Sequence, residues 1–505
     1  MAVDPTEKRR SLAANSIFSV IAWVFPLLLG FFSTKILIHY LGNEEFGLFA
    51  IILGFISYSF TFGVGKVVGK YVPEFRSVGE TNKVTEVIAG TFWLSLLAGL
   101  VGGTALVLLA PTIVTQLLLI SPEMQQAAIY SLYLAAAIGV VMMLSQVFQF
   151  VLQGLHRFDN YTALTNLSGL LLGVGNIVLA LNNFGVAALL GWNLAVVSSI
   201  GLLFYVRAKR LLPGISLTTR LHKSMMSRVV RYAGNTLLFQ IFANVVFIFE
   251  RSWVTRKFGT DGLTYYYVPM LLPIYMHGFL GSLVQAIFPV FNELLDERDR
   301  VTDLYRRANK VILAIVVFSI TNFIVCGALF LKLWINPGLA ANSYRMLIPH
   351  GLTYGVIALG IMTFQIAESY RGPLLNVIWT ASWAIIAIPL MILVADHWQS
   401  EGVAWARVAA SLGMFPAIAY AEASYLGAIQ WRFWLASGLR TLAAGVGMAA
   451  VEYLVLLWLG DSYVSLFAAG GVGALVFGSI LALTGFLTPS DREVLRRNLR
   501  RRSAA

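Results

Sequence analysis

The sequence predicts an all-α polytopic membrane protein of about fourteen transmembrane helices, arranged as two six-helix lobes with two further helices at the C-terminal end. Three observations carry this. Of 505 residues, 58% are hydrophobic and only 12% charged, with a mean hydropathy of +0.77; a soluble chain carries about a quarter charged residues. Apolar runs of spanning length recur along the whole chain, and the basic residues gather in alternate gaps between them, the pattern of a multi-pass protein. Lipid is the solvent such a chain needs.

The runs fall near 13–38, 46–68, 86–110, 127–151, 161–182 and 185–206, then near 233–255, 263–288, 309–333, 346–367, 374–395, 402–425, 437–459 and 464–486. Each is close to the ~20 residues that cross ~30 Å of hydrocarbon. Backbone polar groups in lipid must be paired within the segment, and the runs are too long for barrel strands, so they are helices. Lys8-Arg9-Arg10 precedes an apolar stretch to Ile38. That stretch exceeds a signal-peptide core and leads straight into the second run, so it reads as the first helix and not as a leader or twin-arginine signal.

Net charge is +12, from 36 Lys+Arg against 24 Asp+Glu. In a soluble protein that would suggest nucleic acid. Here the bases lie between apolar runs and at the ends, facing anionic headgroups. With the N-terminus inside, the inner segments hold 29 Lys/Arg, including seven from Arg207 to Arg231 and six from Arg492 to Arg502. The outer loops hold four, Arg256, Lys257, Lys332 and Arg345; Lys35, Arg251 and Arg407 lie within runs. This places both termini in the cytoplasm and favours an even helix count.

A faint repeat divides the chain. Leu41-Gly42-Asn43 matches Phe258-Gly259-Thr260, Val72-Pro73-Glu74-Phe75 echoes Phe288-Pro289-Val290-Phe291, and Gln146 corresponds to Gln365, at offsets of 216–219. The expected organisation is an N-terminal lobe 1–206, a cytoplasmic linker 207–232, a C-terminal lobe 233–426, two helices within 437–486 and a basic tail 487–505. Even-numbered halves have parallel topology, and transporters put their path between such halves.

No enzyme constellation is present: the chain lacks a P-loop, HExxH and GxSxG, so no catalytic residue, cofactor or metal is expected. Any active transport is then driven by an ion gradient, not by ATP bound to this chain. Cys326 is the only cysteine, which excludes an intrachain disulfide or CxxC site; in its apolar run it reads as a small hydrophobe. Ionisable residues inside runs are costly and mark sites. On the seventh run Thr236, Gln240, Asn244 and Arg251 share one face. Two readings stay open: a cationic wall for an anionic substrate such as a phosphate, or an arginine snorkelling outward. Lys35, Lys66 and Arg407 carry the same pair of readings, with Lys66 also fitting a plain inner anchor. Glu250 and His277 are the ion-coupling candidates, against an ion-pair partner and a satisfied core histidine. Glu422 and Glu452 are further acids within or beside runs. Gln146, Gln149 and Gln153 fit sugar hydroxyls or interhelical bonding. Tyr265-Tyr266-Tyr267 reads mainly as an interfacial belt.

Several stretches carry a family resemblance. Tyr40-Leu41-Gly42-Asn43-Glu44-Glu45-Phe46-Gly47 resembles the turn between the first two helices of polysaccharide-transport proteins, including Wzx-type flippases of the MOP superfamily. Tyr71-Val72-Pro73-Glu74-Phe75 with Gly79-Glu80, Gln153-Gly154-Leu155-His156-Arg157-Phe158, and Phe288-Pro289 followed by Tyr305-Arg306-Arg307-Ala308 are similar to that family's later cytoplasmic loops. The resemblance implies two lobes in a MATE-like V shape and alternating access. It implies movement of an undecaprenyl-diphosphate-linked glycan across the bacterial inner membrane, in O-antigen, capsule or exopolysaccharide biosynthesis. It also implies a cationic cavity, with Arg251, Lys35 and Lys66 as diphosphate contacts and a proton or sodium ion as the coupling ion. Glu250-Arg251 departs from the acid followed by apolar residues that the resemblance leads one to expect. A cation-coupled multidrug exporter is the alternative within the superfamily, though it would need an acidic cavity. A membrane glycan polymerase or glycosyltransferase is the alternative outside it, though the outer loops are too short.

Overall fold

The computed structural model describes residues 12–60, 63–219, 222–285, 297–371 and 374–486, and every regular element among them is helical. The basic ends around Lys8-Arg9-Arg10 and Arg492–Arg502, and the Phe288-Pro289 echo, lie outside the described residues, as does the side chain of Thr236. The helices are α1 Leu12–Ser59, α2 Lys66–Ser77, α3 Thr81–Thr112, α4 Pro122–Gly154, α5 Phe158–Leu181, α6 Val186–Leu211 and α7 Lys223–Gln285. They continue with α8 Arg298–Val325, α9 Gly327–Trp334, α10 Pro337–Leu359, α11 Ile361–Arg371, α12 Leu374–Ser411, α13 Met414–Ala421, α14 Trp431–Leu459 and α15 Tyr463–Leu483. Wide turns at Ile113–Leu117 and Glu422–Leu426 extend α3 and α13.

Three helices are too long for one passage. At 1.5 Å per residue the 48 residues of α1 would reach about 72 Å, more than twice the hydrocarbon core. Each bends where the backbone leaves helical geometry. Gly42 (φ 78°, ψ 172°) divides α1, Gly259 (φ 74°, ψ 177°) divides α7, and Trp398 with Gln399 (φ 53°) divides α12. Only glycine takes the first two conformations readily. Eleven segments among the described residues are long and apolar enough to cross a membrane, and three of them, Leu28–Ser59, Gln240–Val284 and Leu375–Leu426, contain these bends. Among the described residues these eleven segments therefore make fourteen passages, as the hydropathy pattern predicts. Gly42 and Gly259 stand 217 residues apart in the same unusual conformation, so the repeat exists in the backbone as well as in the letters.

The chain forms two compact units, Met1–Val268 with Arg371–Ala410, and Pro269–Tyr370 with Ser411–Ala505. These cuts fall at other places than the 207–232 linker at which the repeat divides. In the first unit Val67, Val68, Val72, Ile88, Val151 and Phe204 form one buried cluster. Gly139 makes room for Phe60, because a Cβ there would collide with the ring. The linker is tied to α3 by Thr85 Oγ1 donating to the Gly214 carbonyl (3.2 Å) and Trp93 Nε1 to that of Thr218 (3.2 Å). In the second unit Ala444 and Met448 of α14 pack against Phe477 and Leu481 of α15. Ser462 and Ser465 cap the start of α15 reciprocally, which satisfies donors that lipid could not.

Candidate functional site

The strongest concentration of buried charge lies in the first unit. Glu250 and Arg251 are consecutive on the 223–258 limb of α7, so their side chains leave the helix about 100° apart. Each meets a different neighbour. Glu250 accepts two bonds from Arg407 Nη1 of α12, at 2.9 and 2.8 Å, with both side chains buried. Tyr266, beyond the Gly259 bend, donates to the same carboxylate. Arg407 also sits over the Phe247 ring (5.3 Å) and beside Trp383 (6.0 Å). These charge-assisted bonds, from one nitrogen to both carboxylate oxygens, offset part of the desolvation that both charges suffer.

Arg251 turns toward the 43–59 limb of α1. It is only 5% exposed. Its Nη1 donates to the Ala50 carbonyl (3.3 Å) and its Nη2 to Tyr58 Oη (3.5 Å). The guanidinium lies between the Tyr58 ring (5.1 Å) and the Tyr267 ring (4.4 Å), a cation–π sandwich. Gly54 gives it space, since a Cβ there would stand 2.9 Å from Nη1. Deeper on the same face of α7, Asn244 Nδ2 donates to the Tyr58 carbonyl (2.8 Å), and Gln240 Nε2 holds the Asn244 side chain (3.0 Å). Tyr58 in turn stacks on Phe247 (5.1 Å), which joins both halves of the cluster.

This limb of α1 continues its contact beyond the Gly259 bend. A Cβ on Gly47 would collide with the Thr260 carbonyl. Thr264 Oγ1 donates to the Asn43 carbonyl (2.6 Å), and Asn43 Nδ2 donates to Tyr265 Oη (3.2 Å). From Asn43 to Tyr58 the seam covers sixteen residues, about 22 Å of helix.

The geometry thus brings together Arg251, Arg407, Glu250, Asn244 and Gln240. Lys35 on α1 and Lys66 at the start of α2 are exposed and stand outside this buried cluster. His277 belongs to the second unit, with its ring 5.9 Å from that of Tyr354. Glu422 is also in that unit and is held by neutral donors: Tyr305 Oη (2.9 Å), the Gln430 amide (2.7 Å) and Trp434 Nε1 (2.7 Å). Glu452 is buried with Cys326 and faces Gly473.

The tyrosine triplet is a correction. Tyr266 is fully buried and bonded to Glu250, while Tyr265 and Tyr267 serve Asn43 and Arg251. Three consecutive helical residues span about 200°, too wide for one belt-facing stripe. Tyr58, Phe247 and Trp383 also belong to the cluster, and nothing in their sequence context singles them out. A usable signal of the seam itself was present: Gly47, Ala50 and Gly54 recur at spacings of three and four, the small-residue face that lets membrane helices approach closely.

A family model described as "Polysaccharide biosynthesis protein" matches residues 36–336. A Shigella flexneri protein described as "Putative O-antigen transporter" is 23% identical over 366 residues, which cover 71% of this chain and 85% of that protein. Among solved structures, the lipid II flippase MurJ in an inward closed conformation superposes with a TM-score of 0.74 at 15% identity, covering 93% of this chain and 99% of MurJ. An inward-facing MATE multidrug transporter of the MOP superfamily gives 0.68 at 14% identity, over 80% and 98% of the two chains. A MOP superfamily transporter from Pyrococcus furiosus, described as having a binding pocket of reversed polarity, gives 0.61 at 16% identity, over 82% and 95%. The fold is therefore the MATE/MurJ-like helical fold.

Proposed function

Because the chain belongs to the polysaccharide biosynthesis protein family, we propose that it is a flippase that moves an undecaprenyl-diphosphate-linked oligosaccharide across the bacterial inner membrane by alternating access, and not an enzyme. The observation that carries this reading is the buried charge at the contact between α1 and α7. Among the described residues Arg251 and Arg407 lie in one buried cluster with the carboxylate Glu250, two guanidiniums to that one acid. Excess buried charge in a membrane protein marks a substrate path, and its sign suits a diphosphate, for which the planar guanidinium is the best side chain. A cationic drug would want the opposite sign. Lys35 and Lys66, exposed on α1 and α2, are in this reading further diphosphate contacts.

The 29-to-4 division of basic residues supports cytoplasmic termini, which sets the Asn43–Thr260 end of the seam outside. The seam between the 43–59 limb and α7 then closes the outer side, as alternating access requires of a form that loads from the cytoplasm. Coupling to a proton or sodium ion runs, in this reading, through Glu250 and His277. At Glu250 the ion acts by competing with Arg407, so that binding it releases the arginine. Deleting the chain tests the function: surface glycan should be lost and lipid-linked repeat units should accumulate on the cytoplasmic side, both reversed by re-expression. Unchanged surface glycan with no accumulation overturns the reading.

A further inference from the structure

The buried face of α14 is a stripe of neutral residues, Ser437, Thr441, Ala444, Gly445 and Met448, that ends on an acid, Glu452. Its side chain is fully buried, and neither carboxyl oxygen has a hydrogen-bond partner among the described residues. The other fully buried acids among those residues are held. Glu250 has Arg407 and Tyr266, and Glu422 has Tyr305, the Gln430 amide and Trp434.

The space around Glu452 is shaped for a carboxyl group. The buried stripe of α15 places Gly473 opposite it, where a Cβ would stand 2.5 Å from Oε1 and 2.9 Å from Cδ. Cys326, at the break between α8 and α9, sets its thiol against the same carboxyl. A thiol is a weak donor and balances no charge. Charged groups on the neighbouring helices are placed elsewhere. On α8 they end at Lys310, sixteen residues and about 24 Å of helix before Cys326. On α9 Lys332 is paired with Asp461 (2.6 Å), and on α15 the one titratable residue, Tyr463, donates to the Leu333 carbonyl (2.6 Å). On α14 itself Tyr453 is exposed. A bare carboxylate in such a place loses its hydration and gains no partner, which costs far more than burying a neutral polar group. The form that fits the notch is the neutral acid.

We infer that Glu452 is a proton-exchange site of the second unit: the acid carries a proton while α14 is packed on α15 and α8, and gives it up when these helices part and water reaches it. Proton and packing are then linked, because loss of the proton leaves an unpaired charge in the contact and loosens it. The packed form holds a proton that the unfolded chain releases, so stability falls as pH rises. The site is separate from Glu250, which lies in the first unit with a cationic partner. It is also independent of the flippase reading, since no cargo enters it.

The test uses the full chain in lipid nanodiscs and reads the carbonyl stretch of protonated carboxylic acids by infrared difference spectroscopy. At neutral pH one such band should be lost in Glu452→Gln and shifted in Cys326→Ala, which removes the thiol and leaves the acid. Transfer to heavy water should shift that band, and alkaline buffer should bleach it. The thermal midpoint of the parent should fall further in alkaline buffer than that of Glu452→Gln, which has no proton to lose. Absence of the band at neutral pH, or a band indifferent to both variants, overturns the assignment. A Glu452 band that neither exchanges in heavy water nor bleaches makes the acid a sealed packing group and overturns the exchange. Equal falls in midpoint overturn the link between proton and packing. Surface glycan in the deletion strain, which tests the flippase reading, enters none of these outcomes.

Discussion

Glu250 and Arg407 are 157 residues apart in sequence and closer than 3 Å in space. Each is a residue that a hydrophobic segment excludes unless something holds it, which is why both were visible in the sequence as candidates. Their pairing was not visible, since no periodicity links residues on separate helices. Removing one partner of a buried pair leaves the other uncompensated and costs about 3–5 kcal/mol, whereas removing both with apolar residues of similar size is close to neutral. Arg407→Ala and Glu250→Ala should thus each lower the unfolding temperature markedly, and the double variant Glu250→Leu/Arg407→Met should recover most of it. The check is thermal unfolding in one detergent for all four proteins. Additive losses in the double variant would show that the two charges do not act as a unit. Arg251→Ala should cost less stability than Arg407→Ala in the same assay, because the Ala50 carbonyl and the Tyr58 hydroxyl that it leaves behind are neutral.

At the scale of the element, the same physics explains both what was legible and what was hidden. The fourteen passages could be counted because the spacing of apolar runs follows bilayer thickness. The repeat could be seen at Gly42 and Gly259 because the backbone there (φ 78° and 74°) admits little but glycine, so the letters record the geometry. Gly259→Ala should therefore cost about 1–3 kcal/mol through backbone strain, although a Cβ there meets no neighbour. Gly438, also with open space around it but inside α14, should behave oppositely: Gly438→Ala should stabilise by roughly 0.5–1 kcal/mol. Urea or thermal midpoints of the two variants decide this, and equal effects would remove the strain argument. Tyr58 and Trp383 were hidden for the converse reason. An aromatic residue in an apolar run is acceptable facing lipid, core or cargo alike, and only the packing of α1, α7 and α12 selects among these.

For the molecule as a whole, the direction of transport depends on which end of the seam faces the cytoplasm. In the reading proposed above, the charge division bears on this. Each Lys or Arg near an anionic leaflet contributes about 1 kcal/mol, so the surplus of 25 on one side, 29 against four, favours that side as the cytoplasmic one in the proposed reading. The compact units were not legible in this way, because contacts between helices far apart in the sequence define them and hydropathy records only each helix's contact with lipid. Orientation can be measured with single cysteines in a Cys326→Ala background. Arg76→Cys and Lys223→Cys, both at exposed positions, should react with an impermeant maleimide only in inside-out vesicles. Lys257→Cys and Arg345→Cys, likewise exposed, should react in intact spheroplasts. The reverse labelling would place the Asn43–Thr260 seam on the cytoplasmic side, and the same closed contact would then belong to a form open to the outside, with cargo leaving by the route assigned here to loading.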